Sequence, residues 1–151
     1  MTARLRRRDV IGGLAAVPLL CTLAPKPAAA AVSPALADAL KQLGIDPVAI
    51  LWDRSITLTA PAIAEDGAAV PIGVAVERST PVRQIHVFAP ANRLALVASL
   101  SPLSPEAVPD FQLRIRLGQS QTIVAVARLS DGRVVAAAAE VHVTAGGGCR
   151  T

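Results

Sequence analysis

The sequence predicts an all-β protein: an immunoglobulin-like β-sandwich of about seven strands, with one short N-terminal helix after a signal peptide. From Ser55 onward, short apolar or alternating runs are separated by turn residues at the spacing of a sandwich. Past Gly44 no helical period of useful length recurs. The apolar content of the 151 residues is 52%, supplied mainly by alanine and valine, with no Tyr and only Trp52, Phe88 and Phe111 as aromatics. Such a composition makes a thin core of small side chains.

The first element is a leader over residues 1–30. Arg7 and Arg8 precede Asp9, Val10 and Ile11, the arrangement of a twin-arginine export signal. The apolar run Val10 to Leu23 contains Gly12, Gly13 and Pro18, and is too short and too interrupted to span a bilayer. Lys26 and the small residues Ala28, Ala29 and Ala30 follow, with cleavage expected after Ala30 and no membrane anchor afterwards. Cys21 is preceded by Leu20, where lipoprotein processing needs a small residue, so it is expected to leave with the leader. The destination is the periplasm.

The mature domain is expected over residues 31–143. Ser33 and Pro34 form an N-cap with proline at the first helical position, and Leu36, Leu40 and Leu43 recur at helical spacing until Gly44. The narrow stripe packs on the sandwich or on a partner subunit. Strands follow at Ser55 to Ala60, Val70 to Glu77, Arg83 to Phe88, Leu94 to Leu100, Phe111 to Leu117, Thr122 to Leu129 and Arg133 to Val143. Asp131-Gly132 between the last two predicts a tight hairpin.

Charge excludes one class of partner. The net charge of +4 and pI of about 10.0 suggest an anionic partner. Yet Arg4, Arg6, Arg7, Arg8 and Lys26 all lie in the leader, and without it ten basic residues face ten acidic ones. The mature domain is formally neutral and lacks aromatic stacking platforms, so no nucleic acid is expected.

Enzyme signatures are missing: there is no nucleophile elbow and no glycine-rich loop opening a helix. His86 and His142 lie inside strands, far apart and without a Cys pair, and are read as structural rather than as metal ligands. Neither a metal nor another cofactor is expected. Glu65 and Asp66 are adjacent carboxylates of a solvated turn.

The tail, residues 144–151, carries the chemistry. Gly146, Gly147 and Gly148 lead to Cys149, followed by Arg150 and Thr151. Three glycines cannot strengthen a strand, so a flexible arm is expected. The six residues from Val143 to Cys149 span at most about 20 Å when extended. An exposed thiol in an oxidising compartment is prone to adventitious oxidation unless it is used or protected.

With these residues in view, the chain resembles the SoxY family, the sulfur-carrying subunits of bacterial SoxYZ thiosulfate-oxidation complexes. The resemblance rests on the twin-arginine leader, the helix before the sandwich, the segment Ala60-Pro61-Ala62-Ile63-Ala64-Glu65-Asp66-Gly67-Ala68-Ala69-Val70-Pro71-Ile72 and the terminal Val143-Thr144-Ala145-Gly146-Gly147-Gly148-Cys149. It implies a covalent carrier rather than a catalyst, with Cys149 holding thiosulfate-derived intermediates. It also implies a SoxZ partner in a heterodimer, and transient docking to a SoxAX cytochrome, a SoxB hydrolase and, where present, a SoxCD sulfane dehydrogenase. The family usually ends Gly-Gly-Cys-Gly-Gly, whereas Arg150 and Thr151 follow the cysteine here. Arg150 is therefore a modulator of the thiol: its bulk hinders access to a narrow channel, or its charge favours the thiolate and attracts anionic thiosulfate. The competing possibilities are an exported immunoglobulin-like binding module with an incidental Cys149, and a SoxY paralogue with no thiosulfate-carrier role.

Overall fold

The computed structural model describes residues 32–104 and 107–144. The leader, and the tail residues Gly146, Gly147, Gly148, Cys149 and Arg150, lie outside the described residues.

Helix α1 spans Pro34–Gln42. It begins where expected: the Ser33 hydroxyl accepts from the Leu36 amide at 3.2 Å, and Pro34 occupies the first turn, where a missing N–H costs nothing. Gly44, at φ +68°, ends the segment in the left-handed region. A short 3-10 turn, Pro47–Ala49, leads into the strands.

The strands are β1 Ile50–Trp52, β2 Ile56–Thr59, β3 Ile63–Ala64, β4 Val70–Val76, β5 Val82–Phe88, β6 Leu96–Leu100, β7 Asp110–Ile115, β8 Gln121–Leu129 and β9 Val134–Val143. The seven runs read from the sequence are all present, with ends shifted by two residues or fewer. β1 and β3 are additional. The larger sheet has the order β1-β9-β8-β5-β6, with β3 also on β9; the smaller is β2-β4-β7. The architecture is a two-sheet sandwich with one helix, as the sequence predicts.

Strand β9 organises one edge. It pairs antiparallel with β8 through the Asp131-Gly132 hairpin, where Gly132 takes φ +90° and the Leu129 amide donates to the Arg133 carbonyl at 2.9 Å. Along its other edge run two short parallel partners: β1 against Val134–Ala136 at the hairpin end, and β3 against His142 and Val143 at the far end.

The core has two layers. Between the sheets, Ile56, Leu58, Val70, Ile72, Val74 and Val76 of the smaller sheet meet inward residues of β5, β8 and β9, including Ile85, Val87, Ile123 and Val141. On the outer face of the larger sheet, Leu36 and Leu40 of α1 pack with Phe88, Val124, Val126 and Ala136. The stripe of α1 therefore covers the sandwich itself, and Arg128 fastens the helix end by donating to the Gly44 carbonyl at 3.2 Å. Coverage on both faces explains why Ile123 to Ala127 are buried without interruption, where β4 alternates.

Candidate functional site

The site begins where β9 ends. The segment Ala60 to Ile72 wraps this end of the strand, and its carbonyls receive it. His142 N–H donates to Ala62 O at 2.9 Å and Thr144 N–H donates to Ala64 O at 3.0 Å. The Thr144 hydroxyl lies 3.3 Å from Glu65 O and 3.5 Å from Ala64 O. Gly67, buried at the following turn, accepts from the Leu117 amide at 2.7 Å. Asp66 closes that turn by accepting from the Ala68 amide at 2.7 Å, and both Glu65 and Asp66 are exposed, as a solvated turn requires.

The opposite edge of β9 is held differently. β8 begins at Gln121, opposite Val141, so the Val143 amide has no strand to meet. The Ser120 hydroxyl takes its place, accepting from Val143 N–H at 2.9 Å. Alternate amides of a strand point to opposite edges, and here both edges are satisfied up to Thr144. Cys149 is the fifth residue beyond Thr144. Five residues reach at most about 18 Å, counted from Thr144, the last of the described residues.

The two histidines sit apart. His142 is exposed on β9, its Nε2 3.6 Å from a Glu140 carboxylate oxygen. His86 is buried at 2% exposure on the outer face of β5, with Nδ1 2.7 Å from the Ser99 hydroxyl and Nε2 without a partner. Burial lowers the His86 pKa from its ordinary 6.5, and the nearby Arg128 cation lowers it further. A neutral ring with its proton on Nδ1 leaves only a lone pair buried at Nε2, the smaller cost. Among the described residues no group of three or more His, Cys, Asp or Glu side chains could hold a metal ion, and no helix is long and apolar enough to cross a membrane.

Ser120, Thr144 and the carbonyls of Ala62 and Ala64 escape a sequence reading. A serine between Gln119 and Gln121 carries no local signal, because its role depends on where β8 stops relative to β9.

The family model for the sulfur oxidation protein SoxY matches residues 46–149. The chain belongs to the SoxY family. The match covers the whole sandwich, includes the segment that receives β9, and ends on Cys149. Among solved structures, the chain is similar to the sulfur carrier protein SoxY from Chlorobium limicola f thiosulfatophilum. That likeness has 36% identity over 72% of this chain and 96% of that one, with a TM-score of 0.62. A superoxide reductase (neelaredoxin) from Ignicoccus hospitalis, 16% identical over 60% of this chain and 80% of its own, has a TM-score of 0.50 and shares the fold alone. No curated protein matches the chain.

Proposed function

We propose that this SoxY-family chain is a sulfur carrier of thiosulfate oxidation, and that Cys149 is the atom that carries. One observation bears most of the weight: the family match runs to a cysteine that follows three glycines and lies six residues past the end of a strand held on both edges. A rigid body with a short glycine tether is the form a covalent shuttle needs. The body docks, while the tether brings the thiol into sites of different shape without side chains of its own to accommodate.

The chemistry begins at the Cys149 thiolate. A solvated cysteine has a pKa of about 8.5, so some thiolate is available near neutral pH without a local base. Thiolate and thiosulfate join through a new S–S bond, giving Cys149–S–S–SO₃⁻, and two electrons leave to a c-type cytochrome. Water then attacks the terminal sulfonate: the S–S bond to it breaks, sulfate and two protons are released, and a Cys149 persulfide remains. Where a sulfane dehydrogenase is present, it oxidises the outer sulfur of that persulfide to a sulfonate, with oxygen taken from water and the electrons and protons released to its acceptors and to solvent, and hydrolysis then frees sulfate and the thiol. The enzymes supply the oxidants and the hydrolytic machinery, and the carrier supplies the sulfur atom on which every step takes place.

Residues 1–30 serve as the twin-arginine leader, residues 31–143 as the docking body and 144–151 as the carrier arm, with Arg150 modulating the thiol and no cofactor required. SoxZ is the constant partner, SoxAX, SoxB and, where present, SoxCD are the transient ones, and the periplasm is the site of action. Twin-arginine export carries folded or assembled proteins, which suits delivery as a SoxYZ complex. The test is Cys149→Ser in a reconstituted thiosulfate-oxidation assay. All turnover is expected to vanish while the folded state and SoxZ binding persist; turnover retained by the variant would sink the proposal.

A further inference from the structure

The loop between β7 and β8 makes contacts that the sandwich itself does not need. Asn92, in the loop after β5, donates from Nδ2 to Arg116 O at 2.7 Å. Its Oδ1 accepts from Gly118 N–H at 3.2 Å and from Gln121 Nε2 at 3.0 Å. Gln121 in turn accepts at Oε1 from the Ala91 amide at 2.8 Å. Four hydrogen bonds therefore staple the loop after β5 to the β7–β8 loop and to the first residue of β8. The segment they hold is the one that presents Ser120 to Val143.

Resting on the carrier role proposed above, we infer that Ser120, braced by Asn92, is a positioning residue that fixes the point from which the carrier arm leaves the body. Strand ends fray unless tied down, and β9 is tied past the end of its neighbour by a side chain in place of a strand. With the clip closed, the tether to Cys149 is the five residues after Thr144. Without the Ser120 bond Thr144 is held from one edge alone, by Ala64 O and Glu65 O, and fraying of those bonds as well lengthens the tether to seven residues and its reach from about 18 Å to about 25 Å. Effective concentration falls roughly as the −3/2 power of tether length, so the thiol becomes about 1.7-fold more dilute at a docked active site. The direction of departure is lost as well. Ser120 is exposed, and removing its hydroxyl leaves no buried group unpaired, so the fold survives.

The experiment compares the full chain with Ser120→Ala, Ser120→Thr and Asn92→Ala. Amide exchange is read residue by residue. Electron-electron distances are read between spin labels on Cys149 and on Val48→Cys, a 91% exposed position near the opposite end of β9, with Cys21 replaced by Ser. In Ser120→Ala the Val143 amide is expected to exchange about fivefold faster, the worth of one ordinary hydrogen bond, while Val124 to Val126 are unchanged. The distance distribution is expected to broaden toward longer values by up to about 7 Å. Ser120→Thr, which keeps the hydroxyl, restores both, and Asn92→Ala moves both in the direction of Ser120→Ala. Unchanged exchange and distances in Ser120→Ala would overturn the inference. So would faster exchange with unaltered distances, since the hydroxyl would then only seal the strand end. Neither readout needs sulfur chemistry, so a Cys149 that never carries an adduct would defeat the carrier role and leave the clip standing.

Discussion

Shortening the arm separates reach from reactivity. Thr144 is bonded to Ala64, so deleting Gly147 and Gly148 leaves the cysteine three residues from its anchor instead of five. Its maximum reach drops from about 18 Å to about 11 Å. A tether that cannot span its sites gives an effective concentration near zero, whereas an overlong one dilutes only as the −3/2 power of its length. Inserting two glycines is therefore expected to cost less than about twofold, while deleting two abolishes transfer to any enzyme whose reacting group lies deeper than the shortened arm can enter. The assay pairs two measurements. Reaction of the cysteine with a small soluble disulfide is expected to stay within about twofold in all three chains, because its thiolate attacks such a disulfide without regard to tether length. Turnover of the reconstituted pathway is expected to collapse for the deletion alone. A deletion variant that oxidises thiosulfate at the normal rate would refute the reasoning, because the cysteine would then react at the body's surface and reach would be irrelevant.

Other perturbations probe the body. Leu40 is fully buried between α1 and the larger sheet, so Leu40→Ala is expected to destabilise the fold by about 2–5 kcal/mol in denaturant titrations, with the reactivity of Cys149 unchanged. His86 is held below its ordinary pKa of 6.5 by burial and by Arg128, so between its folded and unfolded values the unfolded chain binds more protons. Stability is therefore expected to fall as pH drops through about 6.5 toward the folded value and to be insensitive to this group above it; His86→Gln should flatten that slope, measured by denaturant midpoints across the window. Replacing Arg150 and Thr151 by glycines is expected to change the relative rates with which the individual Sox enzymes use the carrier, and identical turnover with each of them would remove any role for Arg150.

The larger strands were legible because their side chains alternate, as in Val70, Ile72, Val74 and Val76, or because two-sided burial makes an unbroken run, as in Ile123 to Ala127. β3 was not. It is two residues long, lies between Pro61 and the Asp66-Gly67 turn, and leaves Ile63 63% exposed, so it has no hydrophobic period. It exists because the end of β9 needs carbonyl partners, a tertiary cause. β1 is likewise made by β9, which it joins in parallel directly after the 3-10 turn. A strand position for His86 could be read from the runs around it, but its burial depends on the outer face of β5 being covered, which no local pattern records. The glycines before Cys149 stood out because a run of three supports neither strand nor helix. The bonds that hold the end of β9 did not, since they are made by backbone carbonyls and one loop serine.

The central claim is that Cys149 carries sulfur, and the intact mass of the mature protein from thiosulfate-oxidising cells tests it most directly. Spectra recorded with and without reductant, with fragmentation to locate any adduct, are expected to show a reducible thiosulfonate or added sulfur atoms on Cys149. A cysteine that stays bare, or carries only glutathione, while the cells actively oxidise thiosulfate would contradict the account.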